Sequence, residues 1–220
     1  MNQNQETIFS HQPFRNFTFL VIALLIVSSP LLFIDKELPS FWLNQFHSPF
    51  LDRFFFYLTY LGDGLVLIPV VIALLFRSYV WAGFFTLFTI FEALLVQVIL
   101  KKGIFVDWSR PSVYISDFSE LHQVAGVHLH SLHTFPSGHT QTIFLVITII
   151  VMAYKKGLGF NLVLILIATL TALSRVYLLQ HFFMDIWFGA LIGFGIPVTI
   201  VYLVQKMGKF PQSDKKLLKN

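Results

Sequence analysis

The chain has no cysteine, which excludes disulfide staples and thiolate metal sites and leaves the redox compartment open. Charge is nearly as scarce. Asp, Glu, Lys and Arg make up 12% of the 220 residues, where a soluble domain carries about 25%. With 56% hydrophobic residues, the chain has too little polar surface to meet water on all sides. A net charge of +4 is too small to argue for nucleic acid, and in such a chain it reports membrane orientation instead. No sustained repeat or composition break divides the sequence, so residues 1–220 read as one domain.

What the sequence has is long apolar runs of the length a bilayer demands. A first span is expected over Phe17–Ile34, as an uncleaved anchor, because the run is long for a signal peptide and no Ala-x-Ala site follows. Residues 35–61 mix aromatic and charged side chains and suit a helix lying at the membrane interface. A second span covers Leu65–Phe76 and starts a few residues earlier; the third is Tyr79–Leu100. After a polar segment of residues 101–137 come Gly138–Tyr154, Leu158–Leu179 and Ile186–Val204. The expected fold is therefore all-α: six transmembrane helices in one bundle, with a core of about residues 79–205 and tails at 1–16 and 206–220. Arg15, Arg77, Lys155, Lys156 and the tail lysines Lys206, Lys209, Lys215, Lys216 and Lys219 then share one side, which the positive-inside rule makes cytoplasmic. Lys101, Lys102, Arg110 and Arg175 fall on the other side, against that rule. An anion to bind is the simplest reason for them.

Three clusters meet on that outer face: Lys102 with Arg110-Pro111; Pro136-Ser137-Gly138-His139; and Ser174-Arg175 followed by His181 and Asp185. Each part suits phosphoryl transfer. Arginine grips phosphate oxygens as a planar fork and lysine adds a point charge. Ser137 and Gly138 open a helix, whose unpaired N–H groups favour an anion. His181 and Asp185 are four residues apart, so the carboxylate can take the Nδ1 proton and free Nε2 to attack phosphorus. His139 is placed to protonate the departing oxygen and then activate water.

The second and third clusters resemble the second and third signatures of the type 2 phosphatidic acid phosphatase superfamily, in its bacterial membrane branch. The superfamily shares its site with vanadium haloperoxidases. The resemblance covers the chain from the third span to the sixth. It implies a lipid phosphatase with Lys102, Arg110, Ser137, Gly138 and Arg175 on the phosphate, His181 as nucleophile, His139 as acid and Asp185 as partner of His181. It also implies no metal and no cofactor. The first signature departs from the pattern: the family usually has six residues between Lys and Arg-Pro, while seven follow Lys102 and eight follow Lys101. The implied setting is the cytoplasmic membrane, with termini inside, the site on the extracytoplasmic side and a lipid phosphate in the bilayer as substrate. Undecaprenyl diphosphate and phosphatidyl phosphates lead, with lipid A phosphates, lipid-to-lipid phosphotransfer and non-catalytic lipid-phosphate transport as alternatives.

Four polar features stand apart. Glu92 lies within a span, where an inward, hydrogen-bonded structural role is expected. His122, His128, His130 and His133 lack a zinc spacing and are expected to contact a headgroup or solvent. Gly189 and Gly193, four apart, are expected to let helices pack closely. Neither the oligomeric state nor the lipid can be read from these residues.

Overall fold

A computed structural model describes residues 7–210, and among them every regular element is helical. The tail lysines Lys215, Lys216 and Lys219 lie outside the described residues. Helix α1 (Gln12–Ser28) starts five residues before the expected span and tightens through a 3₁₀ turn to Leu32. The interfacial region forms two helices, α2 (Leu38–Asn44) and α3 (Pro49–Leu58). Ser48 caps α3 by accepting from the Leu51 N–H, and Pro49 stands where its missing N–H costs nothing.

Helix α3 runs on towards α4 (Leu67–Arg77). Pro49–Gly62 and Gly64–Arg77 form one apolar pair bent by 56°. The bend falls at Asp63, whose carboxylate accepts from the Leu65 N–H at 2.9 Å and starts the second arm. Ser78 then breaks the chain and caps α5 (Tyr79–Ala93), which continues in wider π-turns over Leu94–Ile104. After the short α6 (Pro111–Tyr114), α7 (Gly138–Tyr154), α8 (Leu158–Tyr177) and α9 (Phe183–Lys206) complete the bundle.

Among the described residues, four helices are long and apolar enough to cross a membrane: Gln12–Leu32, Tyr79–Ile104, Leu158–Tyr177 and Phe183–Lys206. The bent pair can supply a fifth crossing, and α7 is a shorter apolar helix of 17 residues. Many large apolar side chains face outward on these helices, among them Phe19, Val27, Leu65 and Leu87. An outward apolar face is what lipid requires and water would penalise.

Helix α7 is the axis of the bundle. Phe144, Leu145, Ile147, Ile149, Val151 and Met152 are all 0–1% exposed. Helix α9 lies hard against its first turns because α9 carries glycine at the contact. A Cβ at Gly193 would sit 2.2 Å from the Gln141 carbonyl oxygen, and one at Gly189 would sit 2.7 Å from that of Ser137. The four-residue glycine spacing thus serves close packing, as expected from the sequence.

One end of the bundle gathers the N-terminal segment, the α7–α8 connection and the end of α9. Lys155 Nζ is 3.1 Å from His11 Nε2, Asn161 donates to the Pro13 carbonyl, Gln205 accepts from the Ile8 N–H, and Arg77 packs on the Tyr154 ring. Arg110, Ser137, His139, Arg175 and His181 gather at the opposite end.

Candidate active site

Three chain segments build the site. The turn Leu178–Phe182 between α8 and α9 carries His181, with the His181 and Gln180 N–H groups both donating to the Arg175 carbonyl. Ser137 opens α7; its Oγ accepts from the Thr140 hydroxyl at 3.1 Å, and its own N–H donates to the Asp185 carbonyl at 2.9 Å. That last bond ties the starts of α7 and α9 together, so His139 and His181 keep a fixed relation.

His181 is 2% exposed and its ring is specified from both sides. Nδ1 lies 3.2 Å from Asp185 Oδ2, an acceptor, so this nitrogen carries the hydrogen. Nε2 lies 3.5 Å from Arg110 Nη1, which can only donate, so Nε2 presents its lone pair. Burial, reinforced by the positive Arg110, holds the imidazole pKa well below 6.5, so the ring is neutral at physiological pH. Asp185 Oδ2 also accepts from the Phe182 N–H at 2.9 Å and from the Thr134 hydroxyl. The carboxylate is thereby fixed at the first turn of α9, where the helix dipole favours it.

The cations are buried and individually anchored. Arg110 is held by the Leu132 and Gln180 carbonyls, both at 2.9 Å; burial lowers its pKa, with Asp185 opposing. Arg175 donates through Nη1 to Thr59 Oγ1 at 2.7 Å, which ties α8 to the end of α3, while its Nε has no protein partner. These residues line a cavity of about 330 Å³ with Lys101, Gly138, His130, His139 and His181. Asp63 Oδ2 stands 3.9 Å from His139 Nε2.

The expected residues His139, His181, Arg110, Gly138 and Arg175 therefore share one cavity wall, with Asp185 and Ser137 directly behind it. Lys102 does not: it is exposed and turned away, and Lys101, 7% exposed, takes the place on the cavity wall. The cause is the winding of α5. Thr89, Ala93, Gln97 and Lys101 line the cavity at four-residue steps. On an α-helix such steps drift by about 40° each. The π-turns over Leu94–Ile104 hold an extra residue per turn and keep the row aligned, which selects Lys101.

Several neighbours were not singled out from sequence: Thr134, Thr59, Asp63, Gln97, Gln141 and Gln180. Only Asp63 had a local signal, an acidic residue between two glycines. Among the loop histidines, His130 reaches the cavity, and partial desolvation and the nearby Arg110 lower its pKa. His122 instead pairs with Asp52 at 2.9 Å and stacks on His47, tying the outer segment to α3. Among the described residues, no three His, Asp or Glu side chains come together to hold a metal ion.

Comparison with known proteins identifies the family. Residues 81–209 match the family model of the PAP2 superfamily, which is more than half of the chain. Phosphatidylglycerophosphatase B of Bacillus subtilis (strain 168) is 29% identical over 180 residues, covering 74% of this chain and 80% of that protein. The crystal structure of Aquifex aeolicus LpxE is 28% identical with a TM-score of 0.63, over 76% of this chain and 92% of the other. A transmembrane PAP2-type phosphatidylglycerolphosphate phosphatase from Bacillus subtilis shares the fold at 24% identity and a TM-score of 0.60, over 90% and 97% of the two chains.

Proposed function

The chain belongs to the PAP2 superfamily of membrane lipid phosphatases, and from that premise we propose that it hydrolyses a lipid phosphate monoester or diphosphate through a phosphohistidine on His181. The observation that carries the reading is the set of contacts on His181: Asp185 fixes Nδ1, and the Nε2 lone pair opens into a cavity lined by Lys101, Arg110 and Arg175.

In the first step Nε2 bonds to phosphorus while the bond from phosphorus to the lipid oxygen breaks. The departing oxygen keeps the electron pair and takes a proton from His139. His139 then removes a proton from water, the water oxygen bonds to phosphorus, and the N–P bond breaks to restore the imidazole. Lys101, Arg110, Arg175 and the N–H groups at the start of α7 hold the phosphoryl oxygens and stabilise their charge throughout. Lys101 thus replaces Lys102 as the phosphate lysine. These cations already match the charge of the phosphate, so the reaction on this reading needs no divalent ion, and phosphate release is expected to survive chelator.

The catalytic core is residues 79–205, within six crossings formed by α1, the bent α3–α4 pair, α5, α7, α8 and α9. The basic end faces the cytoplasm by the positive-inside rule, and the site faces out of the cell across the cytoplasmic membrane. Phosphatidylglycerophosphate is a first candidate because a curated relative bears the name phosphatidylglycerophosphatase B; undecaprenyl diphosphate is a second. The deciding experiment is phosphate release by purified protein from a panel of these lipids and phosphatidic acid, with His181→Ala in parallel. Release that His181→Ala abolishes supports the mechanism. Turnover retained by the variant, or binding without release, defeats it.

A further inference from the structure

The cavity does not end at the phosphate-holding cations. It continues along the row Lys101, Gln97, Ala93 and Thr89 of α5, opposite Gly138, Gln141 and Leu145 of α7. The two rows face each other closely: a Cβ at Gly138 would lie 2.7 Å from Gln97 Nε2. At its far end three polar side chains converge between apolar walls. Gln141, 5% exposed, lines the cavity and commits its amide nitrogen to Glu92 Oε2. Its amide oxygen and the second N–H of the amide are left. Glu92 is fully buried, and its second oxygen, Oε1, has no partner. Thr89 lines the same stretch, and its hydroxyl is buried and unpartnered.

The threonine is informative by contrast. Thr86, Thr148 and Thr171, also within apolar helices, each donate to the carbonyl four residues back, the usual way to satisfy a hydroxyl away from water. Thr89 makes no such bond. Leaving buried polar atoms unspent is costly in an apolar surrounding, so a cluster of them beside a cavity is a place where a ligand group can complete the bonding in place of water.

The geometry points to a second subsite, built from Gln141 and Thr89 with Glu92 as the positioning residue, that receives an uncharged hydrogen-bond donor of the substrate, a hydroxyl or amide N–H near the phosphate. Glu92 accepts from the Gln141 nitrogen and so aims the amide oxygen, an acceptor, at the cavity. A donor is what that oxygen requires. The subsite rests on the phosphatase reading above and deepens it, since it favours lipids with a hydroxyl or amide beside the phosphate over polyprenyl phosphates, which have neither.

A matched pair of probes tests this. Oleoyl glycerol phosphate has a free hydroxyl beside its phosphate ester, and oleoyl propanediol phosphate differs only in lacking it. The unsubstituted protein is expected to show kcat/KM about tenfold higher for the first, the worth of one buried hydrogen bond. Gln141→Leu and Thr89→Val each bring that ratio towards one. Glu92→Ala also blunts it, because nothing then holds the Gln141 amide nitrogen. Equal kcat/KM for the two lipids in the unsubstituted protein, or a ratio unmoved by Gln141→Leu and Thr89→Val, overturns the subsite. If Gln141→Leu does not fold, Thr89→Val carries the comparison, since it removes one hydroxyl at nearly constant volume. If neither lipid releases phosphate, the phosphatase reading falls. The subsite is then decided by calorimetric binding of the same two lipids: a tenfold preference supports it and equal affinity refutes it.

Discussion

Asp185 Oδ2 lies 3.2 Å from His181 Nδ1, and the same oxygen accepts from the Thr134 hydroxyl and the Phe182 N–H. One carboxylate atom thus joins the residue before the Phe135-Pro136-Ser137-Gly138 run to the turn that carries His181. Losing the carboxylate frees the imidazole to take the wrong tautomer. Asp185→Asn is expected to lower kcat by at least about 10²-fold, the range of a positioned proton-handling group, with little change in KM. Thr134→Val leaves the carboxylate in place and is expected to cost only about three- to tenfold. Steady-state phosphate release from a soluble short-chain lipid measures both.

Lys101 and Lys102 provide a paired test on adjacent residues. Lys101→Ala removes a cation from the cavity wall and is expected to reduce kcat/KM by about 10²-fold. Lys102→Ala removes an exposed side chain and is expected to stay within about twofold. The reverse ranking would return the phosphate contact to Lys102.

Arg175 offers a planar fork whose Nη1 is held by Thr59. Arg175→Lys keeps the charge but not the fork, and an order-of-magnitude loss or more in kcat/KM is expected. Thr59→Val, which only frees the guanidinium, is expected to raise KM more than it lowers kcat. A Thr59→Val protein with unchanged kinetics would separate the anchor from catalysis.

The pH dependence follows from His181. Its folded pKa lies well below the ordinary 6.5, so between those two values the unfolded chain binds a proton that the folded one does not. Stability then rises with pH across that window and is lost as pH falls below about 6.5. Thermal unfolding in detergent is expected to drop in temperature between pH 7 and pH 5, and His181→Gln is expected to flatten that slope. A slope equal in both proteins would assign it to other groups.

Close helix contact predicts a stability effect remote from phosphate chemistry. At Gly193 a methyl group would meet the Gln141 carbonyl at 2.2 Å, and a backbone atom cannot step aside. Gly193→Ala is expected to destabilise the protein by about 1–3 kcal/mol, the range for overpacking. At Gly195 a Cβ meets nothing within 4 Å, and Gly195→Ala is expected to be tolerated. Thermal unfolding of the two variants side by side checks the contrast.

The parts legible in the sequence were those that a local pattern encodes. Apolar runs gave the helices of the bundle to within a few residues, and the Pro-Ser-Gly-His and Arg-x5-His-x3-Asp spacings marked His139, Arg175, His181 and Asp185. Glu92 came out inward and hydrogen-bonded, as its lone position in a span suggested. The residues that escaped are defined by partners distant in the chain. Thr59 matters because Arg175 reaches it 116 residues later, and Thr134 because Asp185 lies 51 residues on. The α3–α4 bend escaped because Asp63 between two glycines reads as an ordinary turn, whereas in the structure it caps a helix and faces His139. The choice between Lys101 and Lys102 is not legible in the sequence, because neither has the family's spacing to Arg110 and only the winding of the helix shows which of them lines the cavity.

That winding has a bearing on how relatives of this chain are recognised. A lysine and an arginine separated by eight residues look like a broken signature to any search with a fixed ruler. Where part of the ruler is coiled more widely, the same two charges arrive at the same wall with extra sequence taken up between them. In such a segment a side chain's place is set by the direction in which it points, not by its distance in letters from the next motif. Chains with π-turns at the end of this helix belong among the candidates even when the spacing excludes them.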